Sequence, residues 1–558
     1  MKRFNLSRAI ATLGYLSVSE YLLKFALPTL GTSIACAVVF AFIPITRSLA
    51  AIPLVLGTLF MIVYPFGLFL NKKTDIDGNL HFFITYAGTV STMKINRTVL
   101  FRLIASKRAF GEISKIAEKI FYLAKKWTMG FPKTCKRIGA LSPSEAFADF
   151  LDRFAVAMDF GQDIETFLLE EQDAVMDAYE LEYKKSLESI RMIESLFTSL
   201  TVAIAFMLSI SLLMPLLMGI SLEVIAQYAI LTIVVIDGVI LFLVKALVPA
   251  DKICHNLQVK DPGMRKVRLT VLITAPISAI LLIILVFFTR LPFLVGVAIG
   301  ATPLIIPGWL ATREEQDVLR RDTFFPAFVR SLGSAVRARN GAMLSSLKII
   351  LVHDFGPIND MMHNLYRRLR VGSEKFECWL FFAGESGSHL IQHFSKIFSE
   401  SIYLGGDGEK VGEIVSRNFQ RLVSLRMQRL QLASGLKGAL YGSLVGFSAS
   451  IYVTAKISEI IGGVFSSPMQ GASNMQDVLG GISPNLAATN MDRVLLLIGI
   501  LIIVHSVISS VIVKLVDGGM LSASFIDLVF MLWIGAVLSV VIPAATQNII
   551  PGFGSMLG

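Results

Sequence analysis

Nine uninterrupted apolar runs of about 20 residues each constrain this chain more than anything else in it. They cover about 25–45, 49–70, 196–218, 225–247, 269–289, 292–311, 437–456, 493–514 and 521–543. A helix of that length rises about 30 Å, enough to cross the hydrocarbon core of a bilayer. Inside hydrocarbon every backbone polar group must find its partner within the protein, which restricts spanning segments to helices or closed barrels. Continuous apolar runs of this length read as spanning helices. Composition agrees: 16% of the 558 residues are charged and 54% hydrophobic, against about 25% charged in ordinary soluble domains. The expected fold class is all-α, a polytopic membrane protein with about nine transmembrane helices and two homologous cytoplasmic helical-bundle domains.

The positions of Lys and Arg orient it. Two long polar segments, 71–195 and 312–436, each follow an even number of spans and so share a side. With the tail 1–24, the loop 248–268 and the turn 515–520, that side holds 47 of the 51 basic residues; Arg47, Arg290, Lys456 and Arg493 fall opposite. By the positive-inside bias the first side is cytoplasmic. The expected order is a cytoplasmic tail 1–24, spans 1–2 in 25–70, a cytoplasmic domain 71–195, and spans 3–6 in 196–311. A second cytoplasmic domain 312–436 follows, then span 7 at 437–456, an external loop 457–492, spans 8–9 in 493–543 and an external tail 544–558. The chain is placed in the cytoplasmic membrane, N-terminus inside and C-terminus outside. MKRFNLSRAIATLG lacks a small-residue cleavage site, so no removable signal peptide is read there. Four scattered cysteines suggest neither a disulfide framework nor a zinc site.

The two polar segments are copies of one unit. A shift of 244 lays SPSEAFADFLDRFAVAMDFGQDIE (142–165) over SGSHLIQHFSKIFSESIYLGGDGE (386–409), matching Ser142, Ser144, Phe150, Phe154, Gly161, Asp163 and Glu165 to Ser386, Ser388, Phe394, Phe398, Gly405, Asp407 and Glu409. Upstream, a shift of 245 places Gly88 on Gly333 and Gly111 on Gly356. Apolar residues at 113, 116/117, 120/121 and 123/124 recur at helical spacing. Ser142 before Pro143 reads as a helix cap, and Gly161 as that helix's terminator. Asp163 and Glu165, like Asp407 and Glu409, then start the next helix at its positive end.

A duplicated helical cytoplasmic domain, each copy running through a long last helix into a span, resembles the F-type platform proteins of type II secretion and type IV pilus machines. DTFFPAFVRSLGSAV (322–336) and KLVDGGMLSASFIDLVFMLWIGAVLSVVI (514–542, with Trp533) are similar to segments of the archaellum branch. The resemblance implies a platform, not an enzyme. Its partners would be a hexameric cytoplasmic secretion ATPase, pilin-like subunits (archaellins), motor accessory proteins and membrane lipid. It also implies a homodimer and coupling of the ATPase cycle to subunit insertion, with filament rotation left open.

The residues fit that absence of chemistry, and no cofactor is expected. GGDGEKVG (405–412) cannot place a hydroxyl on Mg²⁺ as a phosphate loop would. His389 and His393, four apart, lack an accompanying metal-site pattern and read as structural. AGESGS (383–388) has the wrong glycine spacing for a nucleophile elbow. Asp237, His505 and Asp527 are ionisable groups inside spans and read as polar contacts between helices, with a proton path as the rival. Pro303 and Pro307 are expected to kink the sixth span.

Charge is unevenly spread. Residues 71–140 hold fourteen basic residues against four acidic; 141–195 hold four against fourteen. The acids Glu170, Glu171, Asp173 and Asp177 and the basic residues Arg320, Arg321, Arg337, Arg339, Arg367, Arg368 and Arg370 are candidate docking residues for the ATPase. Nucleic acid is not an expected partner. A secondary transporter or ion channel is the alternative from another class, since internal repeats are also a transporter feature. The identities here concentrate outside the spans, which disfavours it.

Overall fold

The computed structural model describes residues 27–42, 51–211, 222–249, 251–466 and 491–549, apart from 94, 256, 258, 260 and 261. The expected tail 1–24, most of the loop 457–492 and the chain's last nine residues lie outside them. Among the described residues all regular structure is helical, and one isolated bridge joins Cys254 to Ser388. Helices α1 (Leu27–Phe42) and α2 (Ala51–Ser91) cover the first two expected spans, most of whose side chains lie outside the described residues. Seven described helices are long and apolar enough to cross a membrane, and they coincide with expected spans 3–9.

The first unit continues from α2 through α3 (Arg97–Ser106), α4 (Glu112–Lys126), α5 (Phe131–Gly139) and α6 (Glu145–Asp159) into α7 (Ile164–Ser211). Helices α8 (Leu222–Leu247), α9 (Pro262–Phe288) and α10 (Phe293–Ala301) are membrane elements. The second unit runs through α11 (Ile305–Ala338), α12 (Met343–Ile350), α13 (Asn359–Val371), α14 (Lys375–Ser386) and α15 (His389–Tyr403) into α16 (Gly408–Ser466). Helices α17 (Met491–Asp517) and α18 (Ser524–Ile549) complete the bundle. The boundaries read near 71, 196, 312 and 437 all fall inside continuous helices, so four helices run unbroken from the expected spans into the two units. The sixth span is interrupted by a 3-10 turn at Thr302–Leu304, which contains Pro303. Proline removes a backbone donor and disfavours the regular helix at that point. The Trp533 indole donates to Thr302 Oγ1 across this break at 3.2 Å.

The repeat is structural as well as sequential. Phe150 and Phe154, with their counterparts Phe394 and Phe398, are buried in the cores of their units; each such ring contributes about 1.5–3 kcal/mol by leaving water. Gly88 and Gly333 let the entry helix lie against the unit's last helix. A Cβ on Gly88 would meet Gln172, and one on Gly333 would meet the Gly408 carbonyl. Gly111 and Gly356 share positive φ, 57° and 58°, a region costly for other residues.

The helix-start reading needs one correction. Helix α6 is capped by Ser144, whose Oγ accepts from Phe147 N, and α15 by Ser388, which accepts from Ile391 N. Ser142 and Ser386 lie two residues before the caps, where their hydroxyls accept from the Ser144 and Ser388 amides. Pro143 stands before the cap, not in the first turn. Gly161 and Gly405 end α6 and α15 at φ 70° and 98°. Asp163 then accepts from Thr166 N, and Asp407 from the Glu409 and Lys410 amides.

Candidate functional site

The candidate site lies where the two units meet each other and the membrane bundle. Its plan starts from a duplicated contact. Ser144 Oγ donates to Asp77 Oδ1, and Ser388 Oγ donates to Asp322 Oδ1. Asp77 and Asp322 occupy equivalent positions at the 245 shift, a match the sequence contained but which went unread. Each bond ties the start of α6 or α15 to its entry helix.

The two copies then diverge. In the second, Arg426 of α16 is 1% exposed. Its Nη1 donates to Asp322 Oδ2 at 2.6 Å, its Nε and Nη2 reach Asp251 at 3.0 and 2.6 Å, and Nη2 also reaches the Lys252 carbonyl. Burial alone would raise the Asp251 carboxyl, but Arg426, Arg429 and His389 hold it below the ordinary range. At the position equivalent to Arg426 the first copy has Glu182. Burial and that acid push the Asp77 carboxyl up, against the Ser144 hydrogen bond.

Arg429 is a second staple. It donates to the carbonyls of Pro249, Asp251, Leu515 and Val516, joining α16 to the 248–255 loop and the end of α17. Gly518, at φ 83°, makes room: a Cβ there would lie 2.7 Å from the guanidinium. A Cβ on Gly519 would strike Glu315, which pairs with Lys514 Nζ at 2.6 Å. The GG turn thus fits two buried ion clusters. The loop continues onto the second unit, with His255 N bonded to the Gly387 carbonyl and His389 N to the Ile253 carbonyl.

Between the units, α7 and α16 pack along their length. Asp177 accepts from Arg421 at 2.8 Å, Asp173 lies 3.5 Å from both Arg417 and Arg421, and Glu165 accepts from Lys410 at 2.7 Å. Lys107–Glu400, Thr89–Ser401 and Thr85–Asn418 join α2 and its neighbourhood to the second unit. His81 of the first unit and His389 and His393 of the second cluster around Phe82, whose ring stacks on His393 at 4.3 Å. Burial lowers all three imidazoles, His81 and His393 to about 3 and His389 to about 4, so they are neutral near pH 7.

Many sequence candidates for docking therefore have internal partners. Glu171 is buried against Arg153, with Nε at 2.9 Å; Asp173 and Asp177 face the second unit. Arg337 pairs with Glu409, Arg368 with Glu385, Arg320 lies 3.6 Å from Asp317, and Arg321 donates to the Ser386 carbonyl. Glu170, Arg339, Arg367 and Arg370 are exposed. In the membrane Asp237 and His505, both 2% exposed, are paired between α8 and α17 at 2.9 Å beneath Phe197 and Phe447. Asp527 accepts from Tyr441 at 2.6 Å and pairs with Lys437.

No family model and no solved structure matches the chain. Two curated proteins do. "Flagella accessory protein J" of Methanocaldococcus jannaschii is 34% identical over 533 residues, 93% of this chain and 94% of that protein. The protein of the same name from Methanococcus voltae is 28% identical over 550 residues, 96% and 97%.

Proposed function

The chain belongs to the flagella accessory protein J family, and from that premise we propose that it is the membrane platform of an archaellum-type assembly machine. In this reading a cytoplasmic ATPase docks on the two units, and its cycle moves the membrane bundle to admit archaellins alongside other accessory proteins. One observation carries the reading. Helices α7 and α16, of 48 and 59 residues, run unbroken from the inter-unit ion pairs into the membrane. At 1.5 Å per residue they are about 72 and 88 Å long. They meet again within the spans, where Ser209 and Ser450 are 2.6 Å apart. Rigid helices clamped at both ends transmit displacement instead of absorbing it.

The exposed Arg339, Arg367 and Arg370 and the acid Glu170 remain the docking candidates of the original set. Both units are assigned to the cytoplasm and the C-terminus to the outside by the basic-residue bias. A transporter reading draws on Asp237 and His505, but that pair is enclosed, and the nearby cavity lined by Leu208, Ala226, Ala229 and Ile498 is apolar and holds about 20 Å³. The test is binding of the full-length protein in nanodiscs to the secretion ATPase of the same organism. Saturable binding that changes ATP turnover supports the reading, and no binding with unchanged turnover overturns it.

A further inference from the structure

From Lys119 to Ser144 the chain carries six basic residues, Lys119, Lys125, Lys126, Lys133, Lys136 and Arg137, and no acid. Five of them, Lys125, Lys126, Lys133, Lys136 and Arg137, flank the corner between α4 and α5. Trp127 stands at the tip, 65% exposed, beside Tyr122 at 49%. Its indole makes no hydrogen bond or ring contact with any described residue. Lys126 Nζ lies 4.8 Å from the Tyr122 ring. The next residue, Thr128, takes φ 51° and Gly130 takes φ 75°, so the chain holds a left-handed turn at a non-glycine position just where the indole is projected. Lys133, Lys136 and Arg137 on α5 are exposed and form no ion pair with a described residue, although Asp152 of α6 lines the same groove as Lys136. An exposed Trp beside an exposed Tyr, with exposed cations flanking them, matches the residue types enriched in protein-binding hot spots.

We propose that this corner is the anchor by which the first unit docks an acidic, pocketed surface of the cytoplasmic ATPase, with the Trp127 indole seated in the pocket. The inference rests on the docking reading above and gives it a location that the arginine clusters did not. Charge complementarity selects a protein of opposite sign. Position disfavours a lipid surface. Glu112 N is held by Asp75 at 2.7 Å, five residues past the second expected span, and α4 carries Trp127 fifteen residues, about 22 Å, along its axis from there. Screening confines attraction by an anionic leaflet to a Debye length of about 8 Å. Phe131 stacks on Phe101 at 5.3 Å, fixing the corner to α3, which follows the far end of α2. The second unit has no equivalent anchor: Gly372 replaces Trp127, and Glu374 and Glu377 follow it.

The experiment measures ATPase binding to full-length protein in nanodiscs for wild type, Trp127→Ala and the triple variant K133E/K136E/R137E, with hydrogen exchange followed over 119–137. All four positions are exposed, so folding is expected to be retained. Both variants are expected to weaken binding at least tenfold, the triple variant also losing most of its salt dependence, and the ATPase is expected to protect 119–137 from exchange. Wild-type binding with both variants within twofold of it overturns this location but leaves docking intact. Failure of the wild type to bind overturns docking itself. Protection of 119–137 by anionic lipid without ATPase assigns the corner to the membrane surface and overturns the proposal.

Discussion

Asp177 accepts a hydrogen bond from Arg421 at 2.8 Å, and the two residues occupy the same position in two copies of one repeated unit, 244 residues apart. Asp173 and Arg417 are likewise equivalent and 3.5 Å apart. Equivalent positions that face each other lie beside a pseudo-twofold axis. In a pair of identical units they would set like charge against like; here the first copy has become acidic and the second basic. The eight acids of FGQDIETFLLEEQDAVMDAYELE thus include part of a mechanism for pairing unlike halves.

Reversing one side should show this. Asp177→Arg is expected to destabilise the detergent-solubilised protein, and Arg421→Asp to do the same, each by about 1 kcal/mol or less because the pair is partly exposed, read as a lower thermal midpoint. The double reversal should recover most of the loss. Additive losses in the double variant would show that the pair does not couple.

The duplicated Ser–Asp contact has unequal surroundings and should have unequal energies. Ser144→Ala removes a helix cap, a loss of about 1 kcal/mol. Ser388→Ala also deprives the fully buried Asp322 of a donor, and is expected to lose about 2–3 kcal/mol. Denaturant midpoints followed by circular dichroism compare the two.

Arg426→Ala should be the most damaging single change in the two repeated units, about 3–5 kcal/mol, since it leaves Asp251 and Asp322 buried without their guanidinium. Arg426→Lys is expected to fall between, keeping the charge but not the forked geometry. Thermal unfolding reads both.

Much of this arrangement was legible beforehand. Span positions followed from long apolar runs, and the unit fold from Phe, Gly and Asp matches at a constant shift. The cap at Ser144 was missed because SPS offers two serines, and proline tolerates either register. Spatial partners were out of reach for a different reason. Asp173 and Arg417 are equivalent in sequence, but only packing of α7 on α16 makes equivalence into contact. Asp237 and His505 each stand alone in their helices, so their pairing became visible only once α8 lay beside α17.

Acid should loosen the inter-unit contact through His81. Burial lowers its folded pKa to about 3, below the ordinary 6.5. A base buried in neutral form contributes stability that is fully present above pH 6.5 and lost as pH falls from there towards 3. Between pH 6.5 and pH 5 the loss is about 2 kcal/mol, at 1.36 kcal/mol per unit. His81→Phe keeps a ring against Tyr179 and should flatten the midpoint–pH curve over that interval relative to wild type.

The central claim is that α7 and α16 carry motion from the docked units to the membrane, and Glu188 tests it most directly. It is exposed and lies on α7 between the inter-unit pairs and the span. Glu188→Pro breaks the helix there at a cost of about 3 kcal/mol, with Glu188→Ala as the control. Filament number per cell is counted alongside ATPase binding to the membrane-extracted protein. The account predicts that Glu188→Pro binds the ATPase within twofold of wild type but assembles no filaments, while Glu188→Ala does both. Normal filament numbers with the helix broken would contradict it.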